Sequence, residues 1–214
     1  MKSEIETYYS RRASEYEKIY EKPERQDDLK LLKQLVNSFF QNKSVLEIAC
    51  GTGYWTEIIS NSAQSIVAID SSKEVLDLAR SKLYKNNSVK FLNDDALALS
   101  KIKGTFNSAF CGFWLSHIRK KNLESFILNL HKKLKPGSAI VMIDNNYVVG
   151  SNTPICREDE IGNTYQLRKL KDGSEYEVLK NFYLENELKN IFKNCSSNFE
   201  IINLKYYWMI KYEV

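Results

Sequence analysis

The 214-residue sequence lacks the features that would assign it to a membrane or secreted class. No apolar run approaches the roughly 18–20 residues needed to span a bilayer. The N-terminal stretch MKSEIETYYSRR also lacks the apolar core of a secretion signal. We therefore expect a cytoplasmic protein with no membrane partner. Hydrophobic residues make up 43% and charged residues 27%, a globular mixture that excludes disordered and collagen-like chains.

A strong excess of one charge and closely spaced cysteines are also missing. Lys and Arg total 31 against 27 Asp and Glu, and the resulting net charge of +4 is too small to indicate a nucleic-acid-binding surface. The four cysteines are widely separated and form no CxxC pair, so we expect reduced thiols, no disulfide and no metal site. They are Cys50, Cys111, Cys156 and Cys195.

Short apolar runs alternate with helix-period segments, a pattern typical of βαβ units and a mostly parallel sheet. Amphipathic stretches around 4–20 and 25–40 come first, and a clear helical period from Leu123 is predicted to stop at Pro136-Gly137. The five predicted strands of this part are Val45–Ala49, Ser65–Ile69, Val89–Leu92, Asn107–Cys111 and Ala139–Ile143.

The pattern changes after the fifth predicted strand. Residues 145–163 are polar, and the alternating segments Thr164–Leu170 and Glu175–Asn181 flank Asp172-Gly173, a strong hairpin-turn signal. Long connections in compact domains are often lids, so we predict a cap over a substrate site. A last helix around Leu184–Phe192 and strands at Phe199–Leu204 and Tyr207–Glu213 complete the prediction.

The most informative segment is VLEIACGTGYWT, residues 45–56. A strand ends near Glu47, Gly51 and Gly53 make a tight turn, and a helix opens near Tyr54. Glycines there let the backbone approach a ligand, and the helix N-terminus adds free N–H groups. In open α/β sheets, ligands bind at this edge, beyond the carboxyl ends of the strands.

Two cofactor types compete for this turn. A dinucleotide site would carry G-x-G-x-x-G, but Thr56 stands at the third glycine position. Glu47 would repel a pyrophosphate, whereas it would attract the α-ammonium of S-adenosylmethionine (SAM). The charge pattern therefore favours SAM.

Acidic residues also end the next two predicted strands. Asp70 is placed to accept the ribose hydroxyls, and either Asp94 or Asp95 to accept the adenine amino group. Each is by itself equally typical of a helix or loop cap. Three acidic strand ends on successive βα units favour a shared ligand over three independent caps.

These motifs together resemble the class I SAM-dependent methyltransferases. VLEIACGTG is similar to the family's first motif with Ala49 at a usual glycine, and AID (68–70) and NDDA (93–96) resemble the ribose and adenine motifs. FNSAFCGFWLSHI (106–118) and LKPGSAIVMID (134–144) resemble the passages around the fourth and fifth strands. The resemblance implies a doubly wound α/β fold with a seven-stranded sheet of order 3-2-1-4-5-7-6, in which strand 7 is antiparallel.

The resemblance also implies one methyltransferase domain over 1–214 with four parts. These are a helical lid (1–40), a SAM-binding core (41–144), a substrate cap with the hairpin (145–182) and the last helix with antiparallel strands (183–214). The implied SAM contacts are Glu47, Ala49, Gly51, Gly53, Asp70, Ser71, Asp94, Asp95, Ala96, Gly112 and Phe113, with Tyr16 and Arg25 from the lid. The implied substrate contacts are Trp114, Asn145, Tyr147, Arg157, Tyr165 and Arg168.

His117 is the candidate general base, since it follows the fourth strand near the methyl-donor end of the site. A structural anchor for the loop is the second interpretation, and both stay open. The expected activity is methyl transfer to an O or N nucleophile of a small molecule. Alternatives are a methyltransferase acting on RNA or protein and a non-catalytic or NAD-binding protein. The fourth-strand segment CGFW lacks the N/D-P-P-Y/F pattern of base-amine methylation, so we do not expect a nucleic-acid partner.

Overall fold

The computed structural model describes residues 4–85, 88–196 and 198–214 and contains a large and a small sheet flanked by helices. The large sheet has seven strands, and each is close to a predicted one. They are β1 (Ser44–Ile48), β2 (Ser65–Asp70), β3 (Val89–Asn93), β4 (Phe106–Gly112), β5 (Leu134–Asn145), β9 (Phe199–Asn203) and β10 (Tyr207–Glu213).

The strand order of the large sheet is β3-β2-β1-β4-β5-β10-β9. β1 to β5 pair in parallel, whereas β10 is antiparallel to both β5 and β9. Counted within this sheet alone, the order is 3-2-1-4-5-7-6, so the predicted topology is confirmed. The order reverses at β1 and β4, which leaves a crevice at their carboxyl ends.

Six α-helices and four short 3₁₀ segments cover the faces of this sheet in the described residues. The predicted stretch 4–20 is an α-helix that continues as a 3₁₀ helix over Ala13–Tyr20. The α-helices are α1 (Glu4–Arg12), α2 (Gln26–Phe39), α3 (Tyr54–Ser60), α4 (Lys73–Ser81), α5 (Leu123–His131) and α6 (Glu185–Phe192). Further 3₁₀ segments are Pro23–Arg25, Leu115–His117 and Lys120–Asn122. No helix in the described part of the chain is long and apolar enough to cross a membrane.

The central strands are buried on both faces, as expected of parallel strands between helix layers. Val45, Leu46 and Ile48 are fully buried, with Leu46 and Ile48 in one apolar cluster and Val45 in the other. Burying an aliphatic side chain is worth about 1.5–3 kcal/mol. This packing fixes the strand ends that carry the acidic side chains.

The predicted helix stop at Pro136-Gly137 is wrong. The helix α5 ends at His131, and Pro136 and Gly137 already lie within β5. Phe106 pairs with Leu134 and Ser108 with Ala139, so β5 has extra residues at this point, and Pro136 and Gly137 lie within the resulting bulge. A bulge tolerates proline because its residues need not donate to the sheet.

The predicted hairpin is present as part of a second sheet. It consists of β7 (Thr164–Lys169) and β8 (Glu175–Leu179), joined through Asp172-Gly173, with the two-residue β6 (Arg157–Glu158) added at its edge. The hairpin strand ends two residues earlier than predicted, and the side chains of residues 180 and 181 bond to the segment after β4, at the Ser116 hydroxyl and the Ile118 carbonyl.

A buried ion pair joins this hairpin to the large sheet. The Nζ of Lys180 lies 2.7 Å from Oδ1 of Asp144, and their side chains are 5% and 1% exposed. Lys180 also donates to the hydroxyl of Ser116 at 2.6 Å, and Asp144 accepts the Ser116 amide at 3.0 Å. The pair therefore fixes the loop after β4 as well as the hairpin.

We expect Lys180→Met to destabilise the protein by about 3–5 kcal/mol, because it leaves the Asp144 carboxylate buried without a counter-ion. Urea unfolding measures this. Lys189→Met, which breaks an exposed i,i+4 pair with Glu185, is the control and should cost less than about 0.5 kcal/mol. Asp144→Asn added to Lys180→Met should restore part of the loss. A loss below about 1 kcal/mol in Lys180→Met would contradict the structural role of the pair.

Candidate active site

The turn after β1 is held in the left-handed backbone region. Gly51 has φ +57° with open space where a side chain would be, and Gly53 has φ +81° with its Cβ position blocked by Ala79 and Tyr84. Gly51 thus faces a ligand space, whereas Gly53 packs against α4. Ala49 also has φ +52°, a conformation that costs a non-glycine residue roughly 1–2 kcal/mol. This strain explains why the resembled family has glycine there.

Glu47 is a buried carboxyl group at the end of β1. Its side chain is 1% exposed, and its Oε2 has no hydrogen-bond partner among the described residues. Burial and, to a smaller extent, the nearby Asp70 raise the pKa of Glu47 to about 8, although an interaction with the Thr56 side chain opposes the shift. A small gap bordered by Glu47, Ala49, Gly51 and Gly112 lies beside it. A buried acid of this kind can be stabilised by a ligand cation that enters the gap.

Asp70 lies at the end of β2 and braces the glycine turn. One carboxylate oxygen accepts the amide of Gly51 and the other the amide of Ser72, both at 2.9 Å. A carboxylate has about four acceptor positions, so two backbone bonds do not saturate it. Asp70 and Ser71 both border the cleft described below.

The two acidic residues after β3 have separate positions. Asp94 is buried and accepts from the Asp95 amide, the Ser100 hydroxyl and the Lys101 amide, so it holds its own loop together. Asp95 and Ala96 border the cleft instead. Of the two predicted adenine contacts, only Asp95 is therefore available to a ligand.

The end of β4 forms the next part of the wall. Gly112 is followed by Phe113 at φ +58°, which is rare for a bulky side chain and marks a strained position typical of functional sites. Phe113 packs against Tyr20, Trp55 and Tyr207. Trp114 borders the cleft with a buried indole N–H that has no partner among the described residues.

His117 has both ring nitrogens engaged. Its Nδ1 lies 2.6 Å from the carbonyl oxygen of Leu179, which can only accept, so Nδ1 carries the proton. Its Nε2 lies 2.9 Å from the hydroxyl of Tyr9, which must then donate to it. Burial and the cations of Lys180 and Arg168 hold the pKa of His117 well below its usual value. His117 is therefore neutral and ties the loop to both the hairpin and α1.

A cleft of about 680 Å³ lies at the carboxyl ends of the strands. This volume lies within the range of small-ligand sites. Glu47 borders the small gap beside this cleft, and neither Gly53 nor Asp94 is on the wall of the cleft. Predicted site residues on its wall are Tyr16, Ala49, Gly51, Asp70, Ser71, Asp95, Ala96, Gly112, Phe113, Trp114, His117, Arg157 and Tyr165. We call it the first cavity.

A second cavity of about 350 Å³ lies between the N-terminal segment and the hairpin. Four residues border both cavities and separate them: Tyr9, Tyr16, Phe113 and His117. The predicted residues Asn145 and Arg168 border the second cavity.

The structure places three predicted residues differently from the prediction. Arg25 borders the second cavity and not the first, because its guanidinium bonds to Ser151 and lies over the ring of Tyr206. Tyr147 packs edge-to-face against Phe182 and borders neither the two cavities nor the small gap beside Glu47. Arg157 borders the first cavity, but its charge is matched by Glu177 at 2.6 Å.

Sequence reasoning missed Tyr9 and the pair of Lys180 with Asp144. Tyr9 is 108 residues from His117 along the chain, and no local pattern links the two. The sequence signal that was available is the run of tyrosines in the N-terminal stretch. In the described residues, no group of three or more His, Cys, Asp or Glu side chains is arranged to hold a metal.

Residues 45–137 match a family model described as a methyltransferase domain. The chain is 29% identical over 109 residues to the demethylmenaquinone methyltransferase of Lactococcus lactis, a match that covers 49% of this chain and 42% of that protein. The chain thus spans less than half of the length of the curated relatives it matches.

Solved structures match nearly the whole chain. The complex of DhpI with SAM and a ligand abbreviated HEP superposes with a TM-score of 0.77, covers 96% of this chain and 94% of that one, and is 23% identical. The N-methyltransferase NodS of Bradyrhizobium japonicum, solved with S-adenosyl-L-homocysteine, has a TM-score of 0.69 at 14% identity and covers 99% and 98% of the two chains.

Residues 45–137 thus resemble a methyltransferase domain, and the fold of the chain is the one found in the solved SAM-dependent methyltransferases. The resemblance predicted from the motifs is confirmed. In this methyltransferase fold, the first cavity lies at the strand edge where the sequence placed the cofactor motifs.

We expect the unfolding free energy of the ligand-free protein to contain a component that falls as pH rises from about 5 to about 8. The folded state retains the Glu47 proton that the unfolded chain loses near pH 4.5. The slope is at most about 1.4 kcal/mol per pH unit for one proton. Urea titrations across this range should show a flatter profile in Glu47→Gln. The control Glu57→Gln, on the exposed face of α3, should keep the wild-type slope, and an unchanged slope in Glu47→Gln would refute the raised pKa.

Proposed function

We propose that the chain binds SAM in the first cavity and transfers its methyl group to a small-molecule acceptor in the second. The observation that carries the proposal is the buried carboxyl of Glu47, whose Oε2 has no hydrogen-bond partner among the described residues, beside the open Gly51 turn. A ligand with an ammonium group and no phosphate matches that position, because the ammonium stabilises the ionised carboxylate, whereas a pyrophosphate would be repelled by that ionised form.

The remaining cofactor contacts follow from the placement of the strand ends. Asp70 would hold the ribose hydroxyls, Asp95 the adenine amino group and Glu47 the α-ammonium. When bound, SAM would supply a methyl group on its sulfonium; in-line displacement forms the acceptor–methyl bond and breaks the sulfur–methyl bond, which leaves S-adenosyl-L-homocysteine as the product. The chain's own contribution is to align donor and acceptor and to exclude water.

A small acceptor is supported by the size and cover of the second cavity. α1 and the hairpin close over it, with Arg11 donating to Tyr176 at 2.6 Å and Lys171 lying 2.9 Å from Glu15. A curated relative is named as a demethylmenaquinone methyltransferase, which also acts on a small molecule.

The cofactor assignment is tested by calorimetric titration. Asp70→Ala should weaken SAM binding about tenfold or more, since a hydrogen bond to a charged group is worth roughly 1.5–3 kcal/mol. Asp77→Ala, which removes an exposed carboxylate of α4, is the matched control and should leave the Kd within twofold of wild type. Binding of NAD without SAM, or an unchanged Kd in folded Asp70→Ala, would contradict the proposal.

We further propose that His117 is a positioning residue that holds the Tyr9 hydroxyl between the two cavities. Both ring nitrogens are engaged, so none is free to accept a proton from an acceptor. The base interpretation would require an acceptor to displace Tyr9.

The stability of His117 variants tests this role. Because the folded pKa of His117 is depressed, wild-type stability should decline as pH falls below about 6.5, and His117→Asn should remove that component. His117→Asn and Tyr9→Phe should also be coupled by about 1 kcal/mol in a double-mutant cycle at pH 8. Additive effects would show that the two side chains do not support one another.

A further inference from the structure

The second cavity has a strongly cationic wall. Beyond the Lys171–Glu15 pair, its charged lining residues are Arg12, Lys22, Arg25, Arg168, Lys169 and Lys180. Lys180 is paired with Asp144, and Lys169 lies 3.9 Å from Glu175. Among the described side chains, no carboxylate lies within ion-pair distance of Arg12, Lys22, Arg25 or Arg168.

Arg168 is the member of this group that contacts Tyr9, one of the four residues that separate the two cavities. Its Nη1 donates to the hydroxyl of Tyr9 at 2.9 Å, and its Nε and Nη2 donate to Oε1 of Gln166 at 3.2 and 2.8 Å. Both partners are neutral. A guanidinium has five N–H donors, so at most two remain after these three bonds, and the Tyr8 hydroxyl also interacts with the group.

Unmatched cations in a covered site are costly, because each loses hydration without gaining a counter-charge. Burial and the neighbouring Arg25 lower the pKa of Lys22, so the cations also repel one another, although Glu24 offsets part of this shift. A ligand oxyanion would remove both costs. Its planar or tetrahedral oxygens match the fork of an arginine, which binds carboxylates and phosphates through two hydrogen bonds.

Tyr9 lies between the cationic wall of the second cavity and the first cavity, where the methyl donor is proposed to bind. Its hydroxyl accepts from Arg168 and donates to His117, and its side chain borders both cavities. A molecule held by Arg168 therefore lies near Tyr9 and Phe113. These two side chains also border the first cavity.

We propose that the methyl acceptor is a small anion and that Arg168 binds its acid group, a carboxylate or a phosphate-type oxyanion, in the second cavity. The role of this anion as methyl acceptor rests on the proposed function, whereas the anion site itself does not depend on SAM. Arg168 is then the residue that determines specificity for a charged over a neutral acceptor.

The test is a titration of the full chain with inorganic phosphate, acetate and neutral acetamide. Chloride keeps the ionic strength constant, and each titration is run with and without S-adenosylhomocysteine. NMR of the protein gives each Kd. Phosphate or acetate should bind at least tenfold more tightly than acetamide. The tighter of the two anions identifies the acid group as phosphate-type or carboxylate.

Arg168→Gln should weaken anion binding tenfold or more while leaving the Kd for SAM within twofold of wild type. Arg80→Gln removes the same charge from an exposed residue of α4 and should change neither. If Arg168→Gln does not fold, Arg168→Lys keeps the charge without the fork and should still weaken anion binding.

The inference is overturned if neither anion binds more tightly than acetamide, or if folded Arg168 variants bind anions like wild type. Failure of SAM to bind the wild type would instead refute the proposed function, and anion binding would persist. The two failures are thus distinguishable.

Discussion

The buried carboxyl of Glu47 is the group on which the rest of the site depends. It lies at the end of a strand whose neighbours are packed on both faces, so it cannot move to solvent without disturbing the core. The Gly51 turn and the Asp70 carboxylate are fixed around it by backbone hydrogen bonds. A protein that keeps an acid in this position carries a stability cost at neutral pH, which a bound ammonium ion would offset.

The linings of the two cavities have opposite charge, and this contrast matches the two proposed ligands, a cationic methyl donor and an anionic acceptor. Asp70 and Asp95 on the first cavity, with Glu47 in the small adjoining gap, form an acidic strand edge that suits a cationic methyl donor. Arg168 and its neighbours give the second cavity a cationic wall that suits an anion. Aromatic residues separate the two, and Tyr9 belongs to both. Methyl transfer across this boundary would bring a sulfonium and an anionic acceptor together in a covered space, where charges interact more strongly than in water.

The sequence predicted the parts of the site that depend on local patterns. Glu47, Gly51 and Asp70 follow buried strands, and the carboxyl ends of parallel strands share one edge, so their proximity could be inferred. The choice between Asp94 and Asp95 could not, because it depends on which carboxylate closes its own loop. The error at Pro136 has a similar origin, since a bulge permits proline in a strand as readily as a turn does.

Contacts between distant segments were the main omission. Tyr9 and His117 meet only because α1 folds over the sheet, and Lys180 meets Asp144 only because the hairpin does. Arg25 was assigned to the cofactor from its place in the N-terminal stretch, whereas the Ser151 loop captures it in the second cavity. Periodicity reports the face of a helix or strand, but it does not report which distant side chain completes a polar network.

Proton release on SAM binding tests the central claim most directly. At pH 6.5 the free Glu47 is protonated, because burial raises its pKa to about 8. The α-amino group of SAM is already charged at that pH. Calorimetry in buffers of different ionisation enthalpy should therefore show release of about one proton per SAM bound, and Glu47→Gln should abolish it. SAM binding without proton release, or with equal release in Glu47→Gln, would contradict the account.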